Sequence, residues 1–266
     1  MPTHCEFDIT QRTLNFPRPF VDRPRLAHGL RVMDIGKNAN IRVSSTLQNL
    51  TKSSADCNII TWADTTLYHA AANVFAFAPC DLDFLTGEHT RSFWKNPNDP
   101  ASVRIDFERP FVSPPKVVVF FNCIDLPNYH YWRLKTTATN IDVEGFTLNI
   151  KTWLDTTFFS AAARVGWIAY PDDRRDIFST SVSTMDIRPA NRPQHKHSRE
   201  ISFKSVEFLR KPSVFIAVNS FDISNNAGLR INAYVDGIST TRLVWHIDSW
   251  HDTVLHSAGA TIIAFS

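Results

Sequence analysis

The feature that most restricts this chain is that it repeats itself. Displaced by 91 residues, Phe16-Pro17-Arg18-Pro19-Phe20-Val21 falls on Phe107-Glu108-Arg109-Pro110-Phe111-Val112, and Thr61-Trp62-Ala63-Asp64-Thr65-Thr66 falls on Thr152-Trp153-Leu154-Asp155-Thr156-Thr157. At the same displacement Ala70-Ala71-Ala72 meets Ala161-Ala162-Ala163, and residues 16–78 hold 22 identities in 63 ungapped positions. A third copy stands 97 residues beyond the second. Ile201-Ser202-Phe203 echoes Ile105-Asp106-Phe107 across a one-residue gap, and Ser249-Trp250-His251-Asp252-Thr253 repeats the Trp-x-Asp-Thr segment. Asp34, Asp125 and Asp222 each precede an arginine (Arg42, Arg133, Arg230) by eight residues, and a tryptophan (Trp62, Trp153, Trp250) follows each arginine by twenty. Fixed separations of this kind mean one structural unit built three times.

Within a unit the pattern predicts short strands. Pro115–Phe121 is a continuous apolar run, Tyr131–Lys135 alternates, and Glu144-Gly145 precedes a further apolar stretch, Phe146–Trp153. Asp155-Thr156-Thr157 predicts a turn and Val165–Tyr170 a closing strand. Only 8 Gly and 3 Met occur, against 20 Phe and 7 Trp, and no helical periodicity is present, so the expected class is all-β. The expectation is three tandem six-stranded antiparallel β-sandwich units forming an intramolecular pseudo-trimer: unit 1 over residues 1–79, an arm plus unit 2 over 80–171, and an arm plus unit 3 over 172–266. The Pro-, Asn- and Arg-rich segments 79–104 and 171–199 are expected to be linkers or irregular arms. Trp132, Trp167 and Trp245, inside alternating strands, are the core candidates.

The order Phe-x-x-x-Phe-x-x-x-Pro, a hydrophobic strand ending in Asp, apolar-Arg-apolar, then Thr-Trp-x-Asp-Thr resembles the H-type lectin family, to which snail agglutinins and the carboxy-terminal domain of discoidins belong. The resemblance covers all three units. It implies a six-stranded antiparallel sandwich that assembles as a trimer and binds N-acetylgalactosamine or galactose between neighbouring protomers, with one chain here supplying all three lobes.

The chemistry suits such a ligand. A guanidinium donates two parallel hydrogen bonds to vicinal hydroxyls, which Lys cannot reproduce, and an aromatic ring covers the C–H face of a sugar. Arg42, Arg133 and Arg230 are therefore candidate contacts, with a surface salt bridge as the alternative for each. The resemblance implies that the tryptophan, its successor and the residue six beyond line the pocket. These are Trp62, Ala63 and Tyr68 in unit 1, Trp153, Leu154 and Phe159 in unit 2, and Trp250, His251 and His256 in unit 3. A small-residue loop upstream of the first Phe also contacts sugar in the family. Thr86–Thr90, with Gly87 and Thr90, is its loose counterpart before unit 2, and Thr180–Thr184, with Ser181 and Thr184, before unit 3. Asp64, Asp155 and Asp252, like Asp34, Asp125 and Asp222, read as turn or strand-end residues.

Other classes are disfavoured. Lys and Arg number 28 against 26 Asp and Glu, a net charge of +2, which lacks the basic excess of a nucleic-acid binder. No window offers the roughly 20 apolar residues of a membrane helix, so no membrane insertion is expected. Four cysteines (Cys5, Cys57, Cys80, Cys123) without a Cys-x-x-Cys point to no zinc site and to a reducing compartment. The opening residues carry no signal-peptide pattern, so a cytoplasmic location or release without one is expected. No hydrolase, phosphate-loop or metalloprotease motif occurs, and neither enzyme activity, cofactor nor metal is expected. His195-Lys196-His197 reads as a solvated basic loop in preference to a metal site. The expected function is multivalent recognition of galactose or N-acetylgalactosamine-type glycans by a monomer or a small closed oligomer. The alternative is a structural β-sandwich that has lost sugar binding.

Overall fold

The computed structural model describes residues 3–6, 12–92, 101–154, 156, 162–203 and 206–266. Unit 1 contributes β1 (Thr3–Glu6), β2 (Arg12–Asn15), β3 (Arg25–Ile35), β4 (Ile41–Gln48), β5 (Ser54–Ile60) and β6 (Leu67–Phe77). Unit 2 contributes β7 (Leu85–Ser92), β8 (Ser102–Asp106), β9 (Lys116–Leu126), β10 (Trp132–Thr139), β11 (Gly145–Lys151) and β12 (Ala162–Tyr170). Unit 3 contributes β13 (Ile177–Ser183), β14 (Ser198–Ser202), β15 (Ser213–Ile223), β16 (Leu229–Asp236), β17 (Arg242–Asp248) and β18 (Leu255–Phe265). The all-β expectation and the six strands per unit hold.

The eighteen strands form three antiparallel six-stranded sheets, and no sheet belongs to one unit. Their orders are β1-β6-β3-β16-β17-β14, β2-β5-β4-β9-β12-β7 and β13-β18-β15-β10-β11-β8. Each unit therefore places three strands in each of two sheets and shares both with its neighbours, so the units close into a ring. The joining ladders are β4 with β9, β10 with β15, and β16 with β3.

At the centre lie β3, β9 and β15, eleven residues each and buried almost throughout. Continuous apolar sequence is what a strand covered on both faces requires. One aromatic cluster joins all three units, with Phe75, Phe77 and Phe84 meeting Phe120, Tyr170, Phe215 and Phe265. In it, the equivalent positions of the three central strands are Gly29, Phe120 and Ala217. A Cβ on Gly29 would stand 2.5 Å from the Cβ of Ala217 and 2.7 Å from the Phe120 ring. One large, one small and one absent side chain fill a space that three equal ones could not.

The Phe-x-x-x-Phe motif has a shared structural cause. Phe16 and Phe20, Phe107 and Phe111, and in unit 3 the pair Phe203 and Phe208, spaced one residue wider, form edge-to-face pairs with centroids 5.1–5.2 Å apart, plugging the sandwich end ahead of each central strand. Trp132, Trp167 and Trp245 are buried as expected.

Two expectations fail. The segments 79–104 and 171–199 are not merely irregular arms, because β7 and β13 run through them and pair with β12 and β18. Both are edge strands, partly solvated, and so lack the apolar run that marks a central strand. The ungapped match of the alanine triplets is also not a structural equivalence. Opposite the repeated Leu30, Phe121 and Val218 stand Ala72, Val165 and Ala260, so β12 lies two residues later than the ungapped match puts it. Unit 2 carries two extra residues between Trp153 and β12.

Candidate functional site

The repeated Asp and Arg meet across the joining ladders. Arg42 stands opposite Asp125, Arg133 opposite Asp222 and Arg230 opposite Asp34, each pair bridging two units. The Nε–Oδ1 distances are 3.5, 3.1 and 3.3 Å. The eight-residue spacing fixes this arrangement: each unit ends its central strand on the acid and begins the next on the arginine, and each partner comes from a different neighbour. Burial pushes the Asp125 carboxyl up, against the opposing pull of Arg42.

The same guanidinium holds the Trp-x-Asp-Thr turn of its own unit. Arg42 Nη1 donates to Asp64 Oδ1 at 2.6 Å and to Thr65 Oγ1 at 3.2 Å, and Arg230 Nη1 donates to Asp252 Oδ1 at 2.5 Å and to Thr253 Oγ1 at 3.2 Å. Arg133 Nη1 donates to Thr156 Oγ1 at 3.4 Å, while Asp155 lies outside the described residues. Each threonine hydroxyl in turn donates to a backbone carbonyl ahead of the arginine strand, at Asn40, Tyr131 and Gly228. The hydrogen bond from Arg42 pulls the Asp64 carboxyl down; for Asp252 the hydrogen bond to His251 contributes most, then that of Arg230. These acids are thus more than turn formers.

All three turns share one unusual backbone position. Ala63, Leu154 and His251 have φ of 55°, 56° and 59°, in the left-handed region that non-glycine residues rarely enter. The turn presents the tryptophan at the junction, with Trp62 36% exposed in unit 1 and Leu154, the residue after Trp153, 79% exposed in unit 2. His251 places Nδ1 3.0 Å from Asp252 Oδ1.

Other candidates fall on either side of the junctions. His256, at the start of β18, stacks on Tyr131 of unit 2 with centroids 5.6 Å apart, and the Arg133 guanidinium lies 4.6 Å from the Tyr131 centroid. The sixth residue after a tryptophan therefore serves, in unit 3, the junction with the preceding unit. Tyr68, at the start of β6 and 62% exposed, lies near Gly36 at the end of β3, on the unit 1 side of the ladder with β16. Phe159 lies outside the described residues. Tyr131 was missed in the sequence because it has no aromatic counterpart at Asn40 or Gly228.

The supposed upstream loop is strand. Gly87 and Thr90 lie inside β7, paired with Trp167 and Arg164, and Ser181 lies inside β13. Gly87 is required there because the Trp167 ring occupies the space its Cβ would take, 2.6 Å away. Thr184 is buried in a short 3₁₀ turn and accepts from the Ala258 amide. The solvated reading of His195-Lys196-His197 also fails at His197, which is buried between the Arg188 guanidinium and the Ile247 carbonyl. Burial lowers its pKa, and no metal-binding cluster occurs among the described residues.

Comparison with known proteins agrees with this architecture. The H-type lectin domain profile matches residues 11–77, 102–170 and 198–265, one match for each unit. A curated protein of Fuscovulum blasticum, described as "ATP synthase subunits region ORF 7", is 35% identical over 81 residues, covering 30% of this chain and 69% of that protein.

Proposed function

The chain belongs to the H-type lectin family, a carbohydrate-binding and non-enzymatic domain family, and from that membership we propose that it recognises galactose or N-acetylgalactosamine-type glycans through sites at its three unit junctions. The observation that carries this reading is the arginine that holds the tryptophan turn, found once per unit and always beside a strand borrowed from the neighbour. In units 1 and 3 the guanidinium is clamped by two carboxylates and cannot swing away, so its remaining N–H groups keep a fixed direction for sugar hydroxyls. The adjacent tryptophan offers a face for the C–H side of the ring.

Three sites on one rigid body favour clustered glycans over free sugar. A second contact forms at high effective concentration, and avidity gains of about 100-fold are within reach even for weak sites. The sites are unequal: Ala63, Leu154 and His251 give each turn different chemistry beside its tryptophan.

A structural reading is favoured by one observation, the burial of Arg133, only 6% exposed and committed to Asp222 and Thr156. An array of glycans on the purified chain, followed by binding to surfaces of rising N-acetylgalactosamine density, decides between them. The lectin reading expects affinity that climbs with density; no signal on any galactose-type glycan supports the structural reading.

A further inference from the structure

A second polar site lies away from the tryptophan turns. Between units 1 and 2 a cleft of about 740 Å³ opens, bounded by the start of β3, the end of β4 and the β7–β12 edge. Its floor carries three ionisable groups drawn from both units. His28 Nε2 lies 2.9 Å from Glu88 Oε1, and Arg164 Nε lies 3.5 Å from Glu88 Oε2. Asn122 donates to Glu88 at 2.5 Å and accepts from Arg164 Nε at 2.8 Å. Arg164 Nη2 is held by Ser44 Oγ and the Ser45 carbonyl, and the Ser45 hydroxyl lies 2.7 Å from His28 Nδ1.

The fold does not require these charges. In the three central strands the place of His28 is taken by Val119 and Ile216, and in the partner strands the place of Arg164 is taken by Ala71 and Gly259. The corresponding cleft between units 2 and 3 measures only about 330 Å³ and contains no guanidinium. Sibling units thus build the same sandwich with apolar or small residues where this junction has placed an imidazole and an arginine.

We propose that this cleft is a second ligand site, built for a neutral saccharide whose vicinal hydroxyls bridge Glu88 and Arg164. The fixed charges balance, Glu88 against Arg164 on the floor and Arg25 on the wall against Glu108 through two hydrogen bonds of 2.5 and 2.6 Å, which suits a neutral ligand over an anion or a cation. A diol can donate to the Glu88 carboxylate, 40% exposed on its side chain, while accepting from Arg164 Nη1, which makes no hydrogen bond with the described residues. Gln48 adds an amide at the rim, and Leu26 and Leu47 give the apolar wall that the C–H face of a sugar needs. The volume lies within the roughly 300–1,000 Å³ typical of small-molecule clefts. Burial works to raise the Glu88 carboxyl, but the His28 hydrogen bond and charge, with Arg164 and Asn122, outweigh it and keep the group anionic.

The test is amide chemical-shift titration of the full chain with lactose, maltose and cellobiose. The expected result is saturable shifts at Gly87, Glu88 and Gln48 with at least one of the three, weakened at least tenfold in Arg164→Ala and unchanged in Trp250→Ala. The sibling residues Ala71 and Gly259 show that this position folds without the arginine, and His28→Val is the matching second variant. Shifts confined to the tryptophan turns would overturn the cleft site while leaving the family sites standing. Equal affinity in Arg164→Ala, or no saturable shift at the cleft amides, would overturn it as well.

Discussion

Arg230 and Asp34 face each other across the ladder that joins the last unit to the first, with 3.3 Å between Nε and Oδ1 and both side chains less than one-fifth exposed. This pair closes the ring where no peptide linkage does. Asp34→Ala leaves a mostly buried guanidinium with Asp252 as its remaining carboxylate, and a loss of about 1–3 kcal/mol is expected in urea unfolding. Asp22→Ala, which removes only the exposed 3.6 Å contact to Lys52, is the control, expected within about 0.5 kcal/mol of the parent.

The axial layer of Gly29, Phe120 and Ala217 predicts a compensating pair. Gly29→Ala drives a methyl into Ala217, and a cost of about 1–3 kcal/mol is expected. Combined with Ala217→Gly, only the part of that loss due to Ala217 returns, because the added methyl still stands 2.7 Å from the Phe120 ring, and a double-mutant cycle from denaturant melts measures the coupling. Phe120→Ala empties the layer and costs about 3–5 kcal/mol.

The left-handed residue of each turn predicts opposite effects for two substitutions. A non-glycine residue pays about 1–2 kcal/mol in this conformation. Ala63→Gly relieves the strain and is expected to leave the melting temperature level or raised. Ala63→Val adds a β-branched carbon to the same backbone and is expected to lower it. Unequal helical or strand content between the two by circular dichroism would contradict a purely local effect.

Truncating the tryptophans predicts graded loss of binding. Covering about 50 Å² of a ring at about 25 cal/mol per Å² is worth about 1 kcal/mol, so each of Trp62→Ala, Trp153→Ala and Trp250→Ala is expected to weaken its own site roughly fivefold. On a dense glycan surface the triple variant is expected to lose far more than the singles, measured by surface binding kinetics.

The turns also set an acid limit. The Asp64 and Asp252 carboxyls lie below their ordinary value of 3.8, so what they contribute is complete above that value and is lost only as pH falls through the lower folded one. Glycan binding that depends on carboxylate-clamped Arg42 and Arg230 is therefore expected to survive from pH 7 to pH 5 as far as these acids are concerned. A pH titration of the Asp64→Asn and Asp252→Asn variants alongside the parent separates their part from that of other groups.

Much of the architecture was legible because threefold repetition turns weak local signals into strong ones. One Asp eight residues before one Arg means little, yet three such pairs marked one unit built three times. What the spacing could not show is that each arginine meets the acid of another unit, since intra-unit and inter-unit pairing leave the same pattern in the chain. The edge strands β7 and β13 were hidden for a different reason: half-solvated strands carry polar sequence, and Gly87 and Thr90 looked like a loop. Tyr131 and the His28–Glu88–Arg164 cluster lie where the units differ, and repetition is silent about differences. The slip of β12 shows the opposite hazard, since matching alanines concealed a two-residue insertion.

The sharing of sheets sets an order of assembly on the ribosome. β3 is nearly all buried in the finished protein, but the strand that covers its outer edge, β16, is made only after the whole of unit 2 and the first part of unit 3 have been translated. During that interval β3 exposes unpaired backbone of the kind that recruits other strands. The long separation between partners makes its closure a slow, non-local event. Unit 1, made before the other two, thus stays unsealed until residues 229–236 arrive, and its central strand is open to mispairing until then.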